Sequence, residues 1–286
     1  MRPDVPSSVT VSGTTRLLAV LGDPVAQVRA PALLNPLFAR LGHDAVLVPV
    51  HASPEDLPAV VRGLKRVRNL DGLLVTVPHK IAALRFADVV GATAAAVGST
   101  NALRREADGR WRAENFDGSG FVAGLRAAGH DPEGRRAVLA GAGGAGSAVA
   151  AALLEAGVAR LTVCDPDSAR LRALCARLER YRPGRTAAAA PADLPGRGPL
   201  GDCDLAVNAT PLGMRPDDPL PFPPQELPPG AVVADIVMKP EWTPLLTAAA
   251  GLGLTVHHGH HMLDHQLGFY CGFFGFGEVR DGGPAG

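Results

Sequence analysis

Short apolar runs alternate with stretches of helical periodicity along most of this chain, and that rhythm predicts an α/β protein with mostly parallel sheets. Apolar runs at residues 17–21, 45–50 and 73–77 read as strands, the last broken by Pro78. Residues 31–41 carry the helical period, and Ser53 to Asp56 looks like a capping box opening a helix to about Leu64, with Pro54 at its first position. Residues 101–105 and 111–114 flank Asp108 and Gly109 and read as a hairpin. Residues 117–129 form a linking helix. Beyond it, strands are expected at 137–140, 161–164, 204–208 and 231–236, and helices at 147–155, 168–180, 243–250 and 262–276. The Pro/Ser/Thr-rich residues 1–14 and the residues from about Arg280 onward read as disordered tails.

The break after the run at 137–140 carries the strongest local signal. Gly141, Gly143 and Gly146, with Ala142, Gly144 and Ala145 between them, give G-x-G-x-x-G between a strand and a helix. In that context the first glycine makes the tight turn and the second lets backbone approach a pyrophosphate. The third packs helix on strand, so that phosphates meet the helix N-terminus. A structural turn in a chain already rich in glycine and alanine is the alternative, but a second strand-helix unit follows at once. A dinucleotide-binding domain is therefore expected.

Composition narrows the class further. The chain of 286 residues suits two domains, and 47% hydrophobic residues are ample for two cores. Lys plus Arg and Asp plus Glu number 28 each, so charge gives no reason to expect nucleic acid or an acidic membrane as a partner. No apolar run reaches membrane-spanning length, and the start of the chain lacks the apolar core of a signal peptide. Cys164, Cys175, Cys203 and Cys271 are scattered, as expected of reduced thiols in a cytoplasmic protein. Basic residues are almost all arginine, and the lysines are Lys65, Lys80 and Lys239. Arginine does not deprotonate, whereas lysine can exchange a proton where its surroundings lower its pKa, which makes Lys80, after a proline-broken strand end, a candidate acid/base.

Eight ordered segments resemble the shikimate dehydrogenase family. They are Gly22, Asp23 and Pro24 with Pro31; Val75 through Thr76, Pro78 and His79 to Lys80; and Gly98 to Asn101. Asn115 to Gly118, Gly141 to Ala145 and Asn208 to Gly213 follow, then Asp235 with Pro240 and Thr243, and Gly259 with Met262, Leu263 and Gln266. The resemblance covers about residues 16–276. It implies a substrate domain at 15–116, rejoined by a C-terminal helix at 260–278, and a Rossmann-like domain at 117–259, the two facing each other across a cleft. The reaction it implies is reversible hydride transfer between NAD(P) and the C3 hydroxyl or ketone of shikimate, 3-dehydroshikimate or a related polyhydroxylated ring. In that frame Lys80 and Asp117 handle the proton, and Thr76, Asn101 and Gln266 hydrogen-bond the ring hydroxyls. Asn208 and Thr210 match the cofactor-side loop, and Ile236 and Gly259 match positions whose backbone lies near the nicotinamide. The remaining expectations are a small-molecule substrate and a monomer or homodimer.

Departures from the family pattern bear on the substrate. The Ser-x-Ser pair that holds the substrate carboxylate in the family is Val28 and Ala30 here, and the preceding histidine is Gln27. The tyrosine that completes the carboxylate pocket is Met238. The asparagine before Val75 and Thr76 is replaced by Leu74, and the threonine after Asn101 by Ala102. The reaction machinery is thus expected to be kept while the carboxylate contact is lost. Asp165 ends the second strand of the dinucleotide domain, where a carboxylate accepts from ribose hydroxyls and repels a 2′-phosphate, so NAD is expected over NADP, with Arg170 as the residue able to override it. The cluster His257, His258, His260, His261 and His265 tempts a metal assignment, but no cysteine or carboxylate set completes it except Asp264. No metal is expected, and a substrate-facing role for His261 or His265 is preferred. Two competing readings are a ligand-sensing regulator on the same scaffold, which has no use for Lys80 and Asp117 together, and a dehydrogenase of related architecture acting on a folate.

Overall fold

The computed structural model describes residues 11–194, 196 and 198–277. Most of the two tails expected from the sequence lies outside the described residues. The part of the first that is described, residues 11–14, is folded: Thr14 Oγ1 donates to Asp44 Oδ2 at 2.7 Å, and Thr15 Oγ1 to Asp44 Oδ1 at 2.6 Å.

In chain order the elements are β1 (Arg16–Gly22), α1 (Ala30–Arg40), β2 (Ala45–His51), α2 (Leu57–Leu64), β3 (Leu70–Val75), α3 (Lys80–Ala83), β4 (Val89–Val90), α4 (Ala92–Val97), β5 (Ala102–Arg105) and β6 (Trp111–Glu114). There follow α5 (Asp117–Ala127), β7 (Arg136–Ala140), α6 (Gly144–Glu155), β8 (Arg160–Cys164), α7 (Ser168–Tyr181), β9 (Thr186–Ala189), β10 (Leu205–Asn208), β11 (Val232–Asp235), α8 (Pro244–Gly251), β12 (Thr255–His257), α9 (His260–Asp264) and α10 (Leu267–Phe273). They divide into two compact units, one of Met1–Ala94, Ser99–Asn115 and Leu267–Gly286, the other of Ala95–Gly98 and Phe116–Gln266.

The first unit is built on a 6-stranded sheet of order β2-β1-β3-β5-β6-β4. β1 runs parallel to β2 and β3, and the hairpin β5–β6 adds antiparallel pairings at β3. Ala19, Leu21, Leu73, Val75 and Leu103 from the strands pack with Leu57 and Val61 of α2 and with Trp111. Strands covered on both faces read as continuous apolar runs, which is why β1 and β3 were legible. The capping-box residues form a turn ahead of α2 instead of its first turn: Ser53 Oγ accepts from Asp56 N at 3.2 Å, and Leu57 N reaches Ser53 O at 3.0 Å.

The second unit is a 6-stranded sheet of order β12-β11-β10-β7-β8-β9 whose pairings are all parallel. This is the doubly wound order of dinucleotide-binding folds, with the reversal between β7 and β10. Side-chain alternation splits its core in two. Leu139, Val163, Val207 and Ala234 pack with α5, α6 and α7 on one face. Val138, Ala140, Ala206 and Val233 pack with Leu245 and Leu246 of α8 on the other.

The last helix departs from expectation. The single helix read over residues 262–276 is two, α9 and α10, interrupted at His265 and Gln266, because the Gln266 side chain turns inward to Asp117. α9 also groups with the second unit, not with the first as the sequence suggested. It packs along α5, where a Cβ added at Gly120 would strike Met262 O and one at Gly124 would lie 3.1 Å from His261 Cβ. Glycine on α5 is what lets the two helices come that close.

Candidate active site

Three of the expected substrate-side residues are tied to one another through backbone. Thr76 follows β3 and bonds Leu21 O through its N–H at 2.9 Å, and Val75 N bonds Asn101 O at 2.9 Å. Lys80 opens α3, and its carbonyl accepts from Thr100 N at 2.9 Å, one residue from Asn101. His79, beside it, is buried and anchors the turn through Nε2 to Ala52 O at 2.8 Å. Lys80 is half-buried and Asn101 is 1% exposed, its Nδ2 donating to the Tyr270 hydroxyl at 3.0 Å. Tyr270 was missed in the sequence, where it sits inside an aromatic-rich helix with no feature to separate it from core.

In the second unit Asp117 is the first residue of α5 and 2% exposed, and Gln266 Nε2 donates to its Oδ1 at 3.3 Å. A carboxylate at a helix N-terminus is favoured by the exposed N–H groups there. The structure thus brings together Asp117 with Gln266, and separately Thr76, Lys80 and Asn101 with Tyr270.

The glycine turn between β7 and α6 divides its three glycines by task. Gly141 has φ +106°, and a Cβ there would lie 2.7 Å from Ala209 O; one at Gly146 would strike Gly141 O. Both are required by the fold itself. Gly143 caps α6 in extended backbone, and a Cβ there would meet nothing within 4 Å. Its lack of side chain serves no packing contact, and it sits at the start of α6, where the glycine-rich turn of dinucleotide-binding folds meets a pyrophosphate. The residues fit a dinucleotide.

Asp165, expected at the ribose, also supports the glycine turn. It is 5% exposed, its Oδ2 accepting from Ala142 N at 2.8 Å and its Oδ1 from Asp167 N at 2.8 Å, so the carboxylate braces the glycine turn. Arg170, whose side chain is about half exposed, stands 3.7 Å from Asp165 and 3.3 Å from Asp167.

The register of β10 against β11 sets Asn208 beside Asp235. Asn208 Nδ2 donates to Asp235 Oδ1 at 3.0 Å and to Leu212 O at 2.9 Å, while its Oδ1 accepts from Thr210 N and Oγ1 at 3.0 and 2.7 Å. Asp235 also accepts from Val237 N at 2.9 Å and Thr243 Oγ1 at 2.7 Å. Burial raises its pKa above the ordinary value, with these donors opposing. Asn208 and Thr210 therefore shape the loop after β10 from inside. Gly259 lies against Ile236 and Val237, since a Cβ there would come 2.5 Å from Val237 O.

Among the positions that depart from the family pattern, Val28 is half-buried, Ala30 is buried at the start of α1, and Gln27 Nε2 closes a turn onto Pro24 O at 2.6 Å. Met238 packs against the core of the second unit.

A doubly wound parallel sheet with a glycine-rich turn after its central strand is the architecture that nicotinamide-dependent oxidoreductases use. The family model described as the shikimate dehydrogenase substrate binding domain matches residues 20–103. A relative from Rubrobacter xylanophilus, named shikimate dehydrogenase (NADP(+)), is 41% identical over 264 residues, covering 90% of this chain and 89% of its own. Shikimate 5-dehydrogenase from Listeria monocytogenes, solved with shikimate and NAD, superposes with a TM-score of 0.84 at 26% identity, covering 94% of each chain. The 5-ketofructose reductase of Gluconobacter, solved without ligand, gives a TM-score of 0.80 at 27% identity, covering 93% of this chain and 95% of its own. The chain belongs to the shikimate dehydrogenase family and is an oxidoreductase acting on CH–OH. Among the described residues no helix is long and apolar enough to cross a membrane.

Proposed function

We propose that this protein interconverts a secondary alcohol and its ketone on a shikimate-like polyhydroxylated ring, using NAD(P). The observation that carries the reading is the retention of a half-buried Lys80 beside the buried Asn101–Tyr270 pair in one unit, together with the Asp117–Gln266 pair in the other. A nicotinamide held at the glycine turn of the second unit would supply the hydride acceptor and donor for the carbinol carbon. Lys80 Nζ takes the proton of the reacting hydroxyl in oxidation and gives it back in reduction. Asp117 matches the carboxylate that partners this lysine in the family, and Gln266 Nε2 holds it through Oδ1 at 3.3 Å. Thr76 and Asn101 bind the other ring hydroxyls. The units act as substrate domain and dinucleotide domain respectively. Four free cysteines, at least three of them buried, support a reducing, cytoplasmic setting.

The cofactor phosphate and the substrate carboxylate are the finer points. The expectation of NAD over NADP loses its support: the NADP(+) name of the Rubrobacter relative leans toward NADP, and Arg170 beside Asp165 offers a cation for a 2′-phosphate. For the carboxylate, Val28 and Ala30 offer no hydroxyl, and apolar groups beside a carboxylate remove water without replacing its hydrogen bonds. Weak activity on shikimate is the consequence, with better activity on a ring lacking that carboxylate. The likeness to a reductase of ketofructose, a neutral sugar, supports this direction. The experiment is a panel of shikimate, quinate and carboxylate-free cyclic polyols with NAD and with NADP, followed at the reduced-nicotinamide absorbance. Turnover of one or more ring polyols is expected. No turnover of any of them with either cofactor would overturn the reading in favour of a ligand-sensing role.

A further inference from the structure

The histidine-rich turn that opens α9 holds chemistry the redox reaction does not use. His260, His261 and Asp264 each offer one ligand atom, and these atoms all lie within 4.8 Å of one another. His260 and Asp264 stand one helical turn apart, which puts them on the same side of α9. His261 joins them through its ring, whose centroid is 4.1 Å from that of His260. The neighbouring imidazoles are otherwise engaged. His258 bonds Glu241 O through Nδ1 at 3.0 Å, and His257, 2% exposed, stacks on His261 with ring centroids 4.7 Å apart. The sequence argued against a metal for want of a carboxylate set beyond Asp264; the fold delivers that one carboxylate to the two imidazoles that need it.

We propose that His260, His261 and Asp264 bind a divalent transition-metal ion of the zinc class. Two imidazole nitrogens and one carboxylate oxygen suit such an ion, with bonds of about 2.0–2.2 Å and a fourth position left to water. Calcium and magnesium, which select all-oxygen sets, are disfavoured by the two nitrogens. Tetrahedral ligands at those bond lengths sit roughly 3.4 Å apart, so the side chains draw together by about 1 Å on binding. Asp264 is exposed and both histidines are half-buried, so rotation about their side-chain bonds supplies that movement and solvent supplies the ion. The bound ion clamps the turn. His261 already abuts Gly124 of α5, and the same turn ends at Gln266, whose amide holds Asp117. Ion binding and its stoichiometry are independent of the proposed reaction.

The test uses the full chain, stripped with a chelator, titrated with zinc chloride by calorimetry at near-neutral pH. The wild type is expected to take up one ion per chain with micromolar affinity, and His260→Ala and Asp264→Asn each to weaken it by about tenfold or more. His51→Ala, a histidine of the first unit paired with Asp23 at 2.7 Å, is expected to bind as the wild type does. Copper(II), which binds the same donor set and quenches nearby indole, provides a second readout. Trp242 lies edge-on to His258 at 4.7 Å, and His258 stacks at 5.8 Å on His260, so its emission is expected to fall and saturate at one equivalent in wild type and not in the two variants. Absence of saturable binding below millimolar zinc would overturn the proposal. So would equal affinity in wild type and both variants, which would assign the zinc to other groups.

Discussion

In the proposed function the second unit meets its ligand with backbone, and the first does so with side chains. Around the glycine turn, the groups proposed to meet a dinucleotide are backbone groups at Gly143 and the start of α6, and the Asp165 carboxylate accepts from Ala142 N. In the first unit the corresponding groups are Lys80, Asn101 and Thr76, and the loop ahead of α1 carries Val28 and Ala30 where the family has hydroxyls. A site made of backbone constrains the sequence through glycines that the chain geometry requires. A site made of side chains can exchange one specificity for another without disturbing the fold. The proposed contrast would account for a chain that keeps the family's glycine turn while replacing the first-loop hydroxyls with Val28 and Ala30.

The largest effect expected is on proton transfer. Lys80→Ala is predicted to lower turnover by about 10²–10⁴-fold, as for loss of a positioned acid/base. Cofactor affinity, measured by quenching of protein fluorescence, is predicted to be unchanged, since the dinucleotide groups all belong to the other unit. Near-normal turnover would remove Lys80 from the mechanism and erase one side of the comparison.

A glycine pair sharpens the other side. Gly141→Ala is predicted to lower stability by roughly 1–3 kcal/mol, because φ is +106° and the added Cβ meets Ala209 O at 2.7 Å. Gly143→Ala, with nothing within 4 Å, is predicted to leave the melting temperature within a degree or two and to weaken cofactor binding instead. Melting curves with and without cofactor distinguish the two. A loss of stability at Gly143 would mean that this glycine, too, is structural.

Arg170→Ala comes next. Hydrogen bonds to a charged group are worth about 1.5–3 kcal/mol, so its removal is predicted to raise the KM for NADP by roughly ten- to a hundredfold and to leave that for NAD nearly unchanged. Equal effects on both cofactors would show that Arg170 contributes through its contacts to Asp165 and Asp167 instead.

The smallest effect concerns Asp235. Its pKa is raised by burial, so the folded state holds its proton to higher pH than the unfolded chain does, and stability falls as pH rises from the ordinary value of 3.8 through the folded value. Asp235→Asn keeps an acceptor for Val237 N and Asn208 Nδ2 and carries no charge. The variant is therefore predicted to gain stability relative to the wild type as pH rises across that window, with the difference vanishing in acid. Denaturant melts at several pH values measure it, and a difference that does not change with pH would remove the burial argument.

Much of this was legible in the chain because buried parallel strands write continuous apolar runs. β7, β8, β10 and β11 were all read to within a residue or so at each end. β9 was not, because its Thr186–Ala189 stretch is mostly alanine with little strand propensity, and pairing with β8 alone makes it a strand. β4 and β12 are two and three residues long, too short to show any period. The division of the last helix was hidden because it depends on Gln266 reaching Asp117, a contact 149 residues away along the chain. The bracing role of Asp165 was hidden for the same reason. The strand end was visible, but the partner that fixes its carboxylate, Ala142 N, is set by the register of β8 on β7. His257 shows the converse: its neighbours were visible in the sequence, yet only packing reveals that burial, helped by His261 and His130, pushes its pKa down to about 3.

The central claim, that the reaction is kept while the carboxylate contact is not, is tested most directly by kcat/KM for shikimate in the wild type and in Val28→Ser/Ala30→Ser, with a carboxylate-free ring polyol run alongside. Two hydroxyl contacts to a carboxylate are worth together roughly 3–6 kcal/mol, so the double variant is predicted to gain about 10²–10⁴-fold on shikimate and nothing on the neutral ring. A wild type that already prefers shikimate to the neutral ring, and that gains nothing from the two serines, would contradict it.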